Sequence, residues 1–319
     1  MIKGMVSDVS TAPTSPFKKR WALIVVIVVL LLGIGAFFGF RSYLTVFFEA
    51  VAFSGIHVAY VLPEDATRWD EFAVTEGMNP FDGVTHHSSA PGPIADIARS
   101  RAGTFVLVGT EGGGSALYEV TKNTYTLVHS FDTKKTELAL HPSERLFAVA
   151  GDGVVSVVAS DQEPIVAGEG RSPAFVGSQQ NEDALAYLRG ETVFARVHTG
   201  TEWGTEVPLY TAHTAFAPDA RLVGGTGYIA FSNPNSMSAV TARVASIASP
   251  EVSFESGSTI PIVAPAMFVG EKLLGAITFP ATEGTDSALL LLDGPFKQVT
   301  LALPKGAQAG VVRFITSRP

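Results

Sequence analysis

The feature that most constrains this chain is an unbroken run of twenty uncharged, mostly apolar residues from Trp21 to Phe40. As a helix rising about 1.5 Å per residue, it would span about 30 Å, the thickness of the hydrocarbon layer of a membrane. The apolar region of a cleaved signal peptide is shorter, about 7 to 15 residues, and small residues follow it. This run instead ends in Phe37-Phe-Gly-Phe-Arg41. We therefore predict an uncleaved transmembrane helix at residues 21–43.

Charged residues flank this segment unequally. Lys18-Lys-Arg20 stands directly before it, whereas Arg41 alone follows closely. Because positively charged flanks stay on the cytoplasmic side of a membrane, we expect residues 1–20 to form a disordered cytoplasmic tail. The larger C-terminal part is then extracytoplasmic. The predicted localisation is the plasma (inner) membrane, crossed in a single pass.

The composition beyond this segment excludes several classes of function. Residues 41–319 hold 18 basic and 29 acidic side chains, so this part of the chain would repel a phosphate backbone. We expect no nucleic-acid partner. The chain contains no cysteine, which rules out disulfides, thiolate metal sites and cysteine nucleophiles.

Beyond residue 55 the hydrophobic pattern has a period of two residues. Short β-type runs alternate with clusters of Gly, Asn, Asp, Ser and Pro, the residues that favour turns. Examples are Thr104–Gly109, Arg145–Ala150, Val154–Val158, Ala184–Leu188 and Ala288–Leu292. This pattern predicts an all-β domain at residues 95–319. Residues 44–94 are expected to hold a connector, the first strand and a long loop.

A repeat is visible within these β-type runs. When Phe105, Phe147, Leu185, Leu222 and Leu273 are taken as equivalent, their spacings are 42, 38, 37 and 51 residues. A period near 40 is typical of a β-propeller with one four-stranded blade per repeat. We therefore predict a five- or six-bladed propeller whose closing blade contains the strands at 56–62 and 310–315. A pair of two-sheet sandwiches remains the alternative.

Two segments within these repeats point to a family. Ala217-Pro-Asp-Ala-Arg-Leu222 and Gln180-Asn-Glu-Asp-Ala-Leu-Ala-Tyr-Leu-Arg-Gly190 resemble the WD40-like propeller repeats of TolB type, in which a Ser-Pro-Asp-Gly-Lys turn leads into a strand. The resemblance covers about residues 95–315, and it departs from the family pattern because no repeat here contains Pro-Asp-Gly. It implies a propeller that binds proteins or peptides rather than a catalytic activity.

Motifs that would carry chemistry are weak. The glycine-rich segment Gly112–Ala116 lacks the pattern of a serine-hydrolase elbow or of a phosphate loop, so we interpret it as a hairpin turn. His86 and His87 form the one pair of adjacent histidines, and neighbouring side chains point to opposite sides of an extended chain. We predict no catalytic residue, no metal site and no cofactor, and regard an enzyme as the less favoured class.

Five residues are the candidates for a binding surface. They are aromatic, acidic or histidine side chains in polar surroundings: Trp69, Asp82, His86, His87 and Trp203. The anchor and a repeat fold without catalytic signatures favour a membrane-tethered propeller that binds a protein of the cell envelope or acts as a scaffold there. Two alternatives stay open, an envelope hydrolase with a site at the propeller centre and an adhesive or ligand-binding ectodomain.

Overall fold

A computed structural model describes residues 52–62, 64–75, 83–159, 162–199, 202–212, 216, 220–233, 238–247, 252–257, 267–269, 272–280, 285–292, 298–303 and 312–317, together with Ile27 and Ile34. The chain divides into two compact units, Met1–Phe48 and Glu49–Pro319. Within the described ranges, no helix has both the length and the apolar character needed to cross a membrane. The predicted tail and anchor at 1–43 lie outside the described residues, except for the helical Ile27 and Ile34.

The second unit is built from antiparallel sheets of four strands each. The described strands form six such sheets, which we call blades I to VI. The prediction of an all-β propeller is therefore confirmed, with six as the number of blades. Each blade follows from the period-two pattern of its sequence, with Gly, Asn or Asp in the tight turns between its strands.

The strands have the following bounds. Blade I contains β1 (Ile56–Leu62), β2 (Asp65–Ala73), β3 (Thr85–His86) and β24 (Val312–Ser317). Blade II contains β4 (Ile94–Ser100), β5 (Gly103–Gly109), β6 (Ser115–Thr121) and β7 (Thr124–Phe131), and blade III contains β8 (Glu137–Leu140), β9 (Leu146–Gly151), β10 (Val154–Ala159) and β11 (Ile165–Glu169). Blade IV contains β12 (Arg171–Gly177), β13 (Asp183–Arg189), β14 (Thr192–Thr199) and β15 (Glu202–Thr211), and blade V contains β16 (Leu222–Gly225), β17 (Tyr228–Asn233), β18 (Ser238–Val244) and β19 (Val252–Gly257). Blade VI contains β20 (Met267–Val269), β21 (Lys272–Pro280), β22 (Thr285–Leu292) and β23 (Gln298–Ala302).

The ring closes through strands from both ends of this unit. Strands β24, β4, β8, β12, β16 and β20 lie against one another in that order and form the inner ring. In blade I the strand order is β24-β1-β2-β3, and Val58 of β1 pairs with Ile315 of β24. The predicted sharing of the closing blade is confirmed. Closure in this way leaves no gap in the inner ring.

The blades pack face to face through apolar side chains. In β9, Phe147 and Val149 belong to a core shared with blade II, whereas Ala148 and Ala150 belong to a core shared with blade IV. Because both faces of the strand are buried, its sequence is a continuous apolar run rather than a strict alternation. This explains the apolar runs in the second strands of the other blades.

The repeat alignment is correct for four blades and wrong for one. Phe105, Phe147, Leu185 and Leu273 all lie in the second strand of their sheets, but Leu222 opens the first strand of blade V. The sequence Ala217-Pro-Asp-Ala-Arg therefore precedes a blade, whereas the corresponding segments of blades II, III and IV lie between two strands of one blade. Connections at the two places use the same residue types, so composition does not separate them.

The long loop predicted within residues 44–94 also differs from the structure. Residues 65–73 form β2, and residues 85–86 form β3. The charged residues of β2 conceal this strand in the sequence, because Asp and Glu are depleted in strands. Here Asp70 and Glu71 are buried and make the polar contacts described below.

The strand registers define two faces of the propeller. We call the face at which the inner strands begin the upper face, and the face at which they end the lower face. Ser100 ends β4 on the lower face opposite Gly103, and the turn between β6 and β7 lies on the same side. Lys122 and Asn123 in that turn have φ of 48° and 66°, the left-handed backbone that tight hairpins require.

Candidate functional site

The inner strands surround a central cavity of about 200 Å³. Three of its polar side chains hold neighbouring blades together. Asp96 Oδ2 accepts the amide of Leu138 at 2.9 Å, and Glu137 Oε2 accepts the amide of Ser172 at 2.6 Å. Ser172 Oγ in turn accepts the amide of Leu222 at 2.7 Å. We call these three bonds, which join blades II to V in sequence, the inner clasps.

The charged groups of the cavity are therefore already engaged in the fold. Glu137 Oε1 accepts a hydrogen bond from the Arg221 guanidinium at 2.5 Å, and the Arg99 guanidinium binds Glu71. The hydrogen bonds of Asp96 and Glu137 thus favour a structural role for the carboxylates of the central cavity.

A second cluster lies at the boundary of blades I and II, around Trp69 of β2. The Trp69 indole is fully buried and stacks on the His87 imidazole, with ring centroids 3.6 Å apart and planes at 5°. Trp69 Nε1 donates to the Tyr125 hydroxyl at 3.0 Å, which itself donates to the Ser88 carbonyl at 2.7 Å. His87 Nδ1 lies 3.0 Å from Asn123 Oδ1. These contacts hold the segment after β3 against the turn between β6 and β7 of blade II.

Glu71 lies beside this stack and is buried. Its carboxylate accepts two hydrogen bonds from Arg99, at 2.5 and 2.8 Å, and lies 2.8 Å from His57 Nδ1. The His87 Nε2 is 3.5 Å away and makes no hydrogen bond within the described residues. Burial alone would raise the pKa of Glu71, but the contacts with His57, His87 and Arg99 outweigh it and hold that pKa well below its ordinary value.

His86 points away from His87, as adjacent residues of an extended chain do. Its Nδ1 lies 3.0 Å from Asp70 Oδ1, and its side chain is largely exposed. The Tyr60 hydroxyl donates to the other oxygen of Asp70 at 3.4 Å, and burial together with the nearby Asp70 raises the pKa of Tyr60. Asp82, the remaining candidate of this region, lies outside the described residues.

Trp203 is placed elsewhere, at the boundary of blades III and IV on the lower face. Its ring stacks on His198 of the same hairpin, with centroids 4.6 Å apart. Both residues line a cavity of about 260 Å³ whose blade III wall includes Leu146, Val157 and Ile165. We call this cavity the III–IV groove. The structure thus brings together Trp69, His86 and His87, but not Trp203.

A buried histidine supports the rim of the III–IV groove. His141 lies in the turn after β8, and its Nδ1 accepts the amide of Glu144 at 3.1 Å. Its Nε2 therefore carries the proton and donates to the Asp183 carboxylate of blade IV. This arrangement links the two blades and fixes the turn that carries Glu144 into the lining of the groove.

Several other residues that make these contacts are absent from the set predicted from the sequence. They are His57, Glu71, Asp96, Arg99, Glu137 and Ser172. One signal was present in the sequence, since Trp69 and Glu71 are two residues apart and share a face of any strand. Among the residues with described positions, no group of three His, Asp or Glu side chains is arranged to hold a metal ion.

Comparison with known proteins identifies the fold. The chain is similar to TolB from Acinetobacter baumannii, with a TM-score of 0.54 and 12% identity over 82% of this chain and 66% of that chain. It is also similar to a chain of a nidogen/laminin complex, with a TM-score of 0.53 and 11% identity over 82% of this chain and 97% of that chain. No family model matches the sequence, and no curated protein matches it.

These similarities agree with the fold, a six-bladed β-propeller. At 11–12% identity they establish the fold alone. The chain spans just under two thirds of the TolB chain that it matches. Nothing about the binding or assembly of those proteins is transferred by the similarity itself.

Proposed function

We propose that this chain is a membrane-tethered, extracytoplasmic propeller that binds another protein of the cell envelope. The observation that carries the proposal is the III–IV groove, a cavity on the lower face lined by apolar and charged side chains, among them a half-buried tryptophan and the exposed Ile165. Exposed apolar side chains around a concave site are typical of protein interaction surfaces.

The polar groups of the propeller support binding over chemistry. Asp96, Glu137 and Glu71 each accept hydrogen bonds that join two blades. Carboxylates whose oxygens accept hydrogen bonds from the fold hold the blades together, which is a structural use rather than a catalytic one.

Tethering rests on the sequence. The apolar run Trp21–Phe40 and the preceding Lys18-Lys-Arg20 favour a helix whose N-terminal end faces the cytoplasm.

The absence of cysteine from the chain makes this orientation easy to test, because an introduced cysteine is the one reactive thiol. A membrane-impermeant maleimide added to intact cells is expected to label Glu111→Cys but not Ser10→Cys. The reverse labelling would contradict the proposed orientation.

Binding is tested by crosslinking the full-length protein in its native membranes and identifying the captured proteins by mass spectrometry. We expect an envelope protein that, when tagged itself, recovers this chain in the reciprocal experiment. Failure to find one, together with hydrolysis of envelope glycans or peptides by the purified protein, would replace the binding function with the hydrolase alternative.

A further inference from the structure

The outer edge of blade III differs from an ordinary solvated strand. β11 is the last strand of its sheet, so one side of its backbone is unpaired in the described structure. Two successive apolar side chains on it are exposed, Ile165 by 49% and Val166 by 63%. An exposed apolar edge strand can pair with an added strand from another chain.

The III–IV groove adjoins this edge, since Ile165 belongs to both. Its wall also includes Val157 of the neighbouring strand β10 and the Trp203 ring of blade IV. Trp203 is held in place by its stack on His198, so its position does not have to be ordered when a ligand binds. A side chain projecting from a strand added to β11 would enter this groove.

The charged residues that line the groove determine which kind of partner side chain can bind there. Glu144 and Glu163 both line it and are exposed, and neither carboxylate has a polar partner in the described part of the chain. Arg145 lines the groove as well, but its guanidinium forms an ion pair with Glu119 at 3.0 Å, which offsets its positive charge. Two carboxylates beside an indole ring are complementary to an ammonium or guanidinium group, which the ring also attracts through its π face.

We propose that the III–IV groove and β11 together bind an extended, basic segment of a partner protein. The segment adds to β11 as a fifth strand, places a Lys or Arg side chain between Glu144, Glu163 and Trp203 on the face of Ile165, and covers Val166 on the opposite face with apolar residues. The excess of acidic residues beyond the membrane segment favours a basic partner over a second copy of this chain. This inference rests on the proposed binding function and identifies its surface.

The test uses the full-length protein in nanodiscs and fluorescein-labelled decapeptides, with fluorescence anisotropy as the readout. The probe alternates valine with lysine, and its matched control alternates valine with glutamate. We expect the lysine peptide to bind at least about tenfold more tightly than the glutamate peptide, because like charges at a docking surface oppose association. Added salt is expected to weaken binding of the lysine peptide.

Variants locate the site. Trp203→Ala and the double variant Glu144→Gln/Glu163→Gln are each expected to weaken binding of the lysine peptide by about tenfold. Val166→Lys is expected to do so too, because a charge on an exposed edge opposes strand addition. Leu127→Ala, on the exposed outer strand of blade II, and Glu111→Gln are the controls and are expected to bind as the unmodified protein does. Unchanged thermal unfolding of the double variant establishes that its fold is intact.

Equal binding of both peptides, or binding that the groove variants do not weaken, would overturn the inference. Concentration-dependent self-association that the same variants abolish would also overturn it in favour of a second copy. The crosslinking experiment, repeated with the double variant, separates the two proposals. A partner that is still captured contradicts the groove as its site and leaves the binding function standing, whereas no partner with the unmodified protein contradicts the binding function.

Discussion

At the scale of single residues, Glu71 joins blade I to blade II through a buried ion pair. Arg99 of blade II holds both carboxylate oxygens, while His57 of blade I contacts one of them. Removing one partner of a buried pair leaves the other charge without compensation. We expect Glu71→Gln to lower the free energy of unfolding at pH 7 by about 3 kcal/mol. Urea unfolding followed by circular dichroism measures this loss.

The same residue predicts a pH dependence. The pKa of Glu71 is lower in the folded protein than its ordinary value of 4.5, so the ionised carboxylate stabilises the fold. This stabilisation is fully present above pH 4.5 and is lost as the pH falls towards the folded pKa, by about 1.4 kcal/mol per pH unit. The difference between the unmodified protein and Glu71→Gln should therefore shrink by about 2 kcal/mol from pH 7 to pH 3. Glu111→Gln, an exposed control, should follow the unmodified protein, and a constant difference for Glu71→Gln would contradict this account.

At the scale of elements, the inner clasps connect strands that share no backbone hydrogen-bond ladder. Among the inner clasps, Ser172 allows the side-chain bond and the backbone conformation to be tested separately. Its Oγ accepts the buried amide of Leu222, and its own backbone has φ of 50°. Ser172→Ala keeps the left-handed backbone and removes the acceptor, so we expect a loss of about 1–3 kcal/mol in the free energy of unfolding. Ser172→Gly also removes the acceptor but relieves the backbone, and it should be less destabilising by about 1 kcal/mol. Thermal and urea unfolding of the two variants compare them directly, and Ser172→Gly as the more damaging change would contradict this account.

The sequence predicted the repeated strands well and the links between them poorly. Apolar runs such as Leu146–Ala150 have a strong local signal, because both of their faces are buried. The clasps depend on side chains and amides that are 35 to 50 residues apart, and nothing local marks such partners. For the same reason the buried Glu71 was indistinguishable from a solvated carboxylate until its three partners were placed around it.

At the scale of the whole molecule, the ring depends on a strand from the far end of the chain. The sequence contained this information, since an open array of blades would leave unpaired edges at both ends. It did not contain the groove between blades III and IV, because Trp203 and Ile165 meet only when two blades pack together. Fold class was therefore predictable from periodicity, whereas the candidate surface required the packing of neighbouring blades.

Strand β24 closes the ring of blades. It pairs with β1 from Ile56 to Tyr60 and is the inner strand of blade I. A chain that stops at Gly310 loses these bonds and opens the inner ring between β20 and β4. We expect a loss on the order of 5 kcal/mol in the free energy of unfolding, comparable with the whole stability of many domains, and therefore aggregation or unfolding at 37 °C.

The matched control is a circular permutant of Glu49–Pro319 in which residues 310–319 precede β1 through a short Gly-Ser linker. The adjacency of Ser317 and Ile56 permits this connection. The permutant should restore cooperative urea unfolding, and a truncated chain as stable as the permutant would show that ring closure does not hold the propeller together.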